Sequence, residues 1–146
     1  MALNKNKVLA AAQRYAEKGQ HERALKEYRR IVAEDDQDAR IWLKMAELYD
    51  RKGALSQAVV AFGKVAAQYL DEGHELRAAS VYKRILDIDP DNATAHLRIA
   101  SLYADLGRPA EAVVQLRHLR TVYLRGGRVG DALEILKRIC ELAPED

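Results

Sequence analysis

The sequence predicts an all-α fold, eight helices long, built as a repeat. Three observations lead there. Apolar residues recur with helical period, as at Trp42, Met45, Ala46 and Tyr49, and no segment alternates convincingly enough for a strand. Gly19, Gly53, Gly73, Gly107 and Gly127 each close one periodic run and precede another, where a helix end needs left-handed backbone. The chain also repeats itself: Ala39–Asn92 lies over Ala93–Asp146 without a gap, with about a third of positions identical.

The elements follow in order. The first helix, 4–18, contains a positively charged, apolar start, but Gln13 and Arg14 interrupt the apolar patch and no cleavage site follows, so a helix is expected rather than a signal peptide. A second helix fills 21–35 between Gly19 and Asp38. Asp38 is placed to cap a third over 38–52, which Gly53 ends. The fourth, 55–72, carries Ala58, Val59, Phe62, Val65, Ala66, Tyr69 and Leu70, an apolar arc wide enough for a helix flanked on two sides. The fifth, 75–88, stops before Pro90, which could not easily continue it. Asn92 caps a sixth over 92–106, and Pro109 opens a seventh over 109–126, with the fourth helix's width in Val113, Val114, Leu116, Leu119, Val122 and Tyr123. The eighth, 129–142, precedes Pro144. Seven alanines, at 46, 58, 66, 78, 100, 112 and 132, would let helix axes approach to about 8–10 Å.

These residues resemble the tetratricopeptide repeat, a 34-residue helical hairpin with bulky, small and aromatic residues at fixed offsets. Val8, Ala11, Ala12, Tyr15, Gly19, Ala24, Tyr28 and Ile31 match it over Lys5–Asp38. Trp42, Met45, Ala46, Tyr49, Gly53, Ala58, Phe62 and Val65 match from Ala39; Phe62, Val65, Ala66, Tyr69, Gly73, Ala78, Tyr82, Ile85 and Pro90 match again from Val59. The same pair of matches recurs from Ala93 and from Val113, with Leu116 and Leu119 in both. His96 stands where a bulky apolar residue is usual and is expected to be half-buried against its neighbours, Arg120 stands where a small one is usual, and Asp36 replaces a closing proline. Five separate hairpins would need about 170 residues, more than the chain has, so the fourth and seventh helices must each close one hairpin and open the next. The resemblance implies a right-handed α-solenoid of antiparallel hairpins in a single domain, 1–146. It divides as one repeat over 5–38 and two three-helix units over 39–92 and 93–146.

Composition excludes several functions. Apolar residues make up 49% and charged residues 32%, so the chain is neither disordered nor membrane-spanning. A net charge of +2 gives no general attraction to nucleic acid. With Cys140 alone, no intrachain disulfide forms, which fits a cytoplasmic protein. No phosphate loop or nucleophile elbow occurs, no two of the four histidines share a helix at i, i+4, and Cys140 has no ligand near it in sequence. No catalytic residue, cofactor or metal is expected. The arginines of 117–128 spread over roughly 140° of helix and read as a solvated face rather than an RNA site.

What remains is binding. The resemblance implies a non-catalytic scaffold, of the kind found in bacterial signalling, secretion or motility machinery. It would hold a partner peptide or helix on a concave surface through the first helix of each hairpin. Asn6, Leu9 and Gln13 would face it, then Arg40, Leu43, Lys44, Glu47 and Asp50, and later Leu97, Arg98, Ser101 and Asp105. Leu9 and Gln13 stand where chaperone-binding members have lysine and asparagine, so their clamp for a peptide carboxylate is incomplete. Arg40, Lys44 and Arg98 favour an acidic segment. An RNA-binding repeat and an accessory domain of a larger protein are the alternatives. The eighth helix adds a second surface. Ala79, Val81, Leu86 and Ile88 of the fifth helix become Leu133, Ile135, Cys140 and Leu142, which stay apolar where a solenoid end is normally polar. Self-association, an end-bound partner or a longer parent protein would each account for that face.

Overall fold

The computed structural model describes residues 2–145. Eight helices occur among them: α1 (Lys5–Glu17), α2 (His21–Glu34), α3 (Ala39–Lys52), α4 (Leu55–Asp71), α5 (Glu75–Ile88), α6 (Ala93–Asp105), α7 (Pro109–Arg125) and α8 (Val129–Leu142). Every boundary lies within one residue of the expected one. The small differences have a cause. Asn4, Asp38 and Asn92 stay extended because each turns its side-chain oxygen to a first-turn N–H, of Lys7, Arg40 and Ala95. Pro109 occupies the first turn of α7, where its missing N–H leaves no bond unmade.

The five spaced glycines all have positive φ, from 71° to 82°. At Gly53 the left-handed residue lets its own N–H reach Asp50 and the Ala54 N–H reach the carbonyl of Tyr49 at 2.9 Å. The same return bond to a tyrosine carbonyl closes α1 (Gln20 to Tyr15), α4 (His74 to Tyr69), α6 (Arg108 to Tyr103) and α7 (Arg128 to Tyr123). One turn is thus used five times, including after both α4 and α7.

The chain forms two compact units, one ending at His74 and the other starting at Glu75. In the first, α1 packs on α2, α2 on α3 and α3 on α4. Its core holds Ala12, Leu25, Tyr28, Ile31, Ala46, Ala58, Phe62, Val65 and Ala66, all essentially without solvent contact. In the second, α5 packs on α6, α6 on α7 and α7 on α8, around Ala78, Ile99, Ala100, Ala112, Leu116 and Leu119. All seven alanines named above are buried. Because α7 meets both α6 and α8, it is the helix two hairpins share. It and α4 have 17 residues where the other helices have 13 or 14.

Candidate interaction site

Within the first unit, α1, α2 and α3 leave an open cleft of about 360 Å³. Gln13, Ala16 and Glu17 line it from α1, Tyr28 from α2, and Lys44, Glu47, Leu48 and Arg51 from α3. Lys44 and Glu47 are half-buried, and Arg51 is exposed. At the floor, burial pushes the Tyr28 hydroxyl above its ordinary pKa, and the Glu47 carboxylate adds to the rise. Tyr28 therefore stays a neutral donor and acceptor at any physiological pH. Two cations, Lys44 and Arg51, and two carboxylates, Glu17 and Glu47, surround an aromatic floor.

Of the expected binding residues, Lys44 and Glu47 meet in this cleft together with Gln13. Leu43 is half-buried and lies outside the cleft lining. Arg40 is exposed and turned back on Asp38, with Nη2 donating to Oδ2 at 3.0 Å and Nε to Oδ1 at 3.2 Å. In the second unit Leu97 and Ser101 are half-buried and Arg98 is exposed. The Ser101 hydroxyl accepts from Arg138 at 3.4 Å, and the Arg98 charge opposes the burial that raises the Tyr82 pKa. Glu17, Arg51 and the Tyr28 hydroxyl were not anticipated as binding groups. The signal was present: Glu17 follows Gln13, and Arg51 follows Glu47, by one helical turn of four.

His96 is buried rather than half-buried, and its bonds explain why a polar residue fills an apolar slot. Its Nε2 lies 2.8 Å from the carbonyl of Pro90, which can only accept, so Nε2 carries the proton. Nδ1 lies 2.9 Å from the Gln115 side-chain amide, and the ring stacks on His118 at 4.5 Å. The 54-residue offset makes the logic plain. Trp42 corresponds to His96, and its Nε1 donates to the carbonyl of Asp36, the counterpart of Pro90, at 2.9 Å. Ala61 corresponds to Gln115 and leaves room beside Trp42, where an apolar cleft of about 270 Å³ opens among Trp42, Tyr49, Ser56, Gln57, Val60 and Ala61. In the second unit, Gln115 reaches the ring that stands in Trp42's place. Arg120, another departure, is half-buried on α7.

On α8, Leu133 and Cys140 are exposed and Leu142 is half-buried, whereas Ile135 points into its own unit and is buried. Of the arginines in 117–128, Arg125 lies 3.5 Å from Asp91, and Arg128 is ion-paired with Asp131 and laid over the Tyr123 ring at 4.5 Å. Among the described residues, no cluster of three or more His, Cys, Asp or Glu could hold a metal, and no helix is long and apolar enough to cross a membrane.

The family model for the tetratricopeptide repeat matches residues 15–79 and 69–121. The chain belongs to the tetratricopeptide repeat family. The two matches overlap over 69–79, from the end of α4 across the turn into the start of α5. No curated protein matches the chain in sequence. Among solved structures, BtubC from P. vanneervenii is 19% identical with a TM-score of 0.52, the alignment covering 94% of this chain and 62% of that one. A thermophilic tetratricopeptide repeat protein of Thermus thermophilus is 21% identical, with coverage of 97% and 93% and a TM-score of 0.38. The likeness to BtubC is one of fold. This repeat is typically a non-catalytic interaction module, and an interaction scaffold is the general class in which the chain falls.

Proposed function

We propose that the chain is a non-catalytic scaffold that binds a peptide or helical segment of a partner protein across its first-in-hairpin helices. Lys44, Glu47, Leu43 and Arg40 are the contact residues of the first unit, and Leu97, Arg98 and Ser101 those of the second, each unit taken by itself. The observation that carries this reading is the α1–α3 cleft. It is open, holds charged groups of both signs, and is walled by rigid helices, as a site for an ordered polar segment should be. The segment is acidic where it meets Lys44, Arg51 and Arg98, and it presents a donor to Glu47. An exposed lone cysteine suits a reducing cytosol, which is where we place the protein.

Quantitative pull-downs from a bacterial cytosol, comparing the wild-type chain with Lys44→Glu/Arg98→Glu, test the reading. It expects a defined partner set that the charge reversal depletes and that salt at about 0.5–1 M, roughly three to seven times physiological ionic strength, weakens. An unchanged partner set would overturn it. RNA recovered in salt-sensitive fashion with the wild type would favour a nucleic-acid repeat instead.

A further inference from the structure

We propose that the cleft between α3 and α4 binds an arginine side chain of a partner segment, one in which the arginine opens a helix and a carboxylate follows three residues on. The cleft, of about 270 Å³, lies within the first unit, and its walls are Trp42 and Tyr49 of α3 and Ser56, Gln57, Val60 and Ala61 of α4. It is separate from the α1–α3 cleft and shares no lining residue with it.

The charge of the occupant follows from the five glycine turns. Each glycine comes four residues after a tyrosine, and at four of the turns the chain beyond the glycine returns a basic side chain to that ring. Arg23 lies 5.8 Å from the centroid of Tyr15, and His74 meets Tyr69 edge-on at 6.4 Å. Arg108 lies 5.2 Å over Tyr103 and Arg128 4.5 Å over Tyr123. The turn after Tyr49 has nothing of the kind to offer. Ala54 stands at the place of His74, Arg108 and Arg128, Gln57 stands at the place of Arg23, and no Lys, Arg or His occurs between Gly53 and Lys64. The aromatic cleft opens at this turn. A cation over the tyrosine ring is the contact that the turn lacks.

The shape of the occupant follows from the second unit. There His96, the counterpart of Trp42, is buried, with the Gln115 amide 2.9 Å from Nδ1 and the His118 ring stacked on it at 4.5 Å. In the first unit those two planar groups are replaced by Ala61 and by Lys64, which is exposed, and Trp42 is left half-buried. A guanidinium is both planar, as a stack on the indole requires, and cationic, as the tyrosine requires. Arg29, 5.7 Å from the Tyr49 ring, does not forbid a second cation, because Tyr103 carries Lys83 at 5.1 Å as well as Arg108. The cleft lining holds no acid, so the incoming charge must bring its own counter-ion. The molecule shows how: Arg108 is paired with Glu111 at 2.6 Å and Arg128 with Asp131 at 2.7 Å, three residues on in each case, and each arginine is the residue just before a helix.

Trp42 is the only tryptophan of the chain, so its fluorescence and its indole N–H resonance report on this cleft directly. The probe is a short capped peptide of arginine, two alanines and glutamate, titrated into the whole chain. The expected result is a saturable change in both signals below about 10 mM peptide. The same peptide with citrulline, of equal shape but no charge, binds about fivefold more weakly or worse. Ala54→Arg/Gln57→Glu rebuilds the Arg108–Glu111 pair inside the first unit, so the chain fills its own cleft and peptide binding falls about tenfold or more, with thermal unfolding to show that the variant folds. Lys44→Glu, in the other cleft, leaves the titration unchanged, so the failure of one reading is told from the failure of the other. Absence of a saturable change overturns the proposal, as does equal binding of the citrulline peptide. Tighter binding of tetramethylammonium than of the arginine peptide also overturns it, because the cleft would then take a free methylated ammonium.

Discussion

At the start of α3, Asp38 does three things at once. Its Oδ1 accepts the Arg40 N–H, its two oxygens hold the Arg40 guanidinium, and Oδ2 takes a 3.2 Å bond from Lys5 of α1. The Arg40 side-chain bond, ahead of the smaller Lys5 and backbone bonds and against some desolvation, lowers its pKa from 3.8 to about 2. A carboxyl held below its unfolded pKa favours the fold above the unfolded value, and that contribution fades as pH falls through the folded one. Stability should therefore drop between about pH 4 and about pH 2, and Asp38→Asn should drop less over that window. Urea denaturation at pH 5 and pH 2.5 measures the difference. His96 offers a second case. His96→Trp alone crowds Gln115, and Gln115→Ala alone leaves the imidazole Nδ1 without its partner, so each should cost about 1–3 kcal/mol. The double variant recreates the Trp42–Ala61 pairing of the first unit and should recover most of the loss in thermal unfolding.

For the helices, caps and turns decide the boundaries while alanines and aromatics decide the packing. Phe62 on α4 is fully buried, so Phe62→Ala should cost about 3–5 kcal/mol by chemical denaturation. Gly53→Ala meets nothing within 4 Å, so its expected loss of about 1 kcal/mol comes from the backbone alone, at φ +82°. Most helix ends were legible in the sequence because Asp38, Asn92, Pro109 and the spaced glycines act locally, within one turn, as Asn4 also does in the structure. The half-buried state expected of His96 was not met, because its polarity is satisfied from positions 6 and 19 residues away in sequence, Pro90 and Gln115. The cleft was half legible. Lys44, Glu47 and Gln13 follow from helical phase, but the approach of Tyr28 depends on how α2 crosses α3, which phase does not give. Ile135 illustrates the same limit: its apolar character is plain, yet only packing tells that it faces inward while Leu136, its neighbour, faces out.

Across the whole molecule, economy of helices is the governing feature. Within the second unit α7 packs on both α6 and α8, which fits its 17 residues and its buried Val113, Leu116, Leu119 and Tyr123, while α4 in the first unit packs on α3. Leu116 and Leu119 belong to both signatures that meet in α7, and both are fully buried. A helix committed to two hairpins couples them, so damage to its core should loosen the partners on either side together. Amide hydrogen exchange on Leu119→Ala tests this most directly. The shared-helix account predicts that α6 and α8 lose protection together and to a similar degree. Loss confined to one of them, with the other as protected as in the wild type, would contradict it.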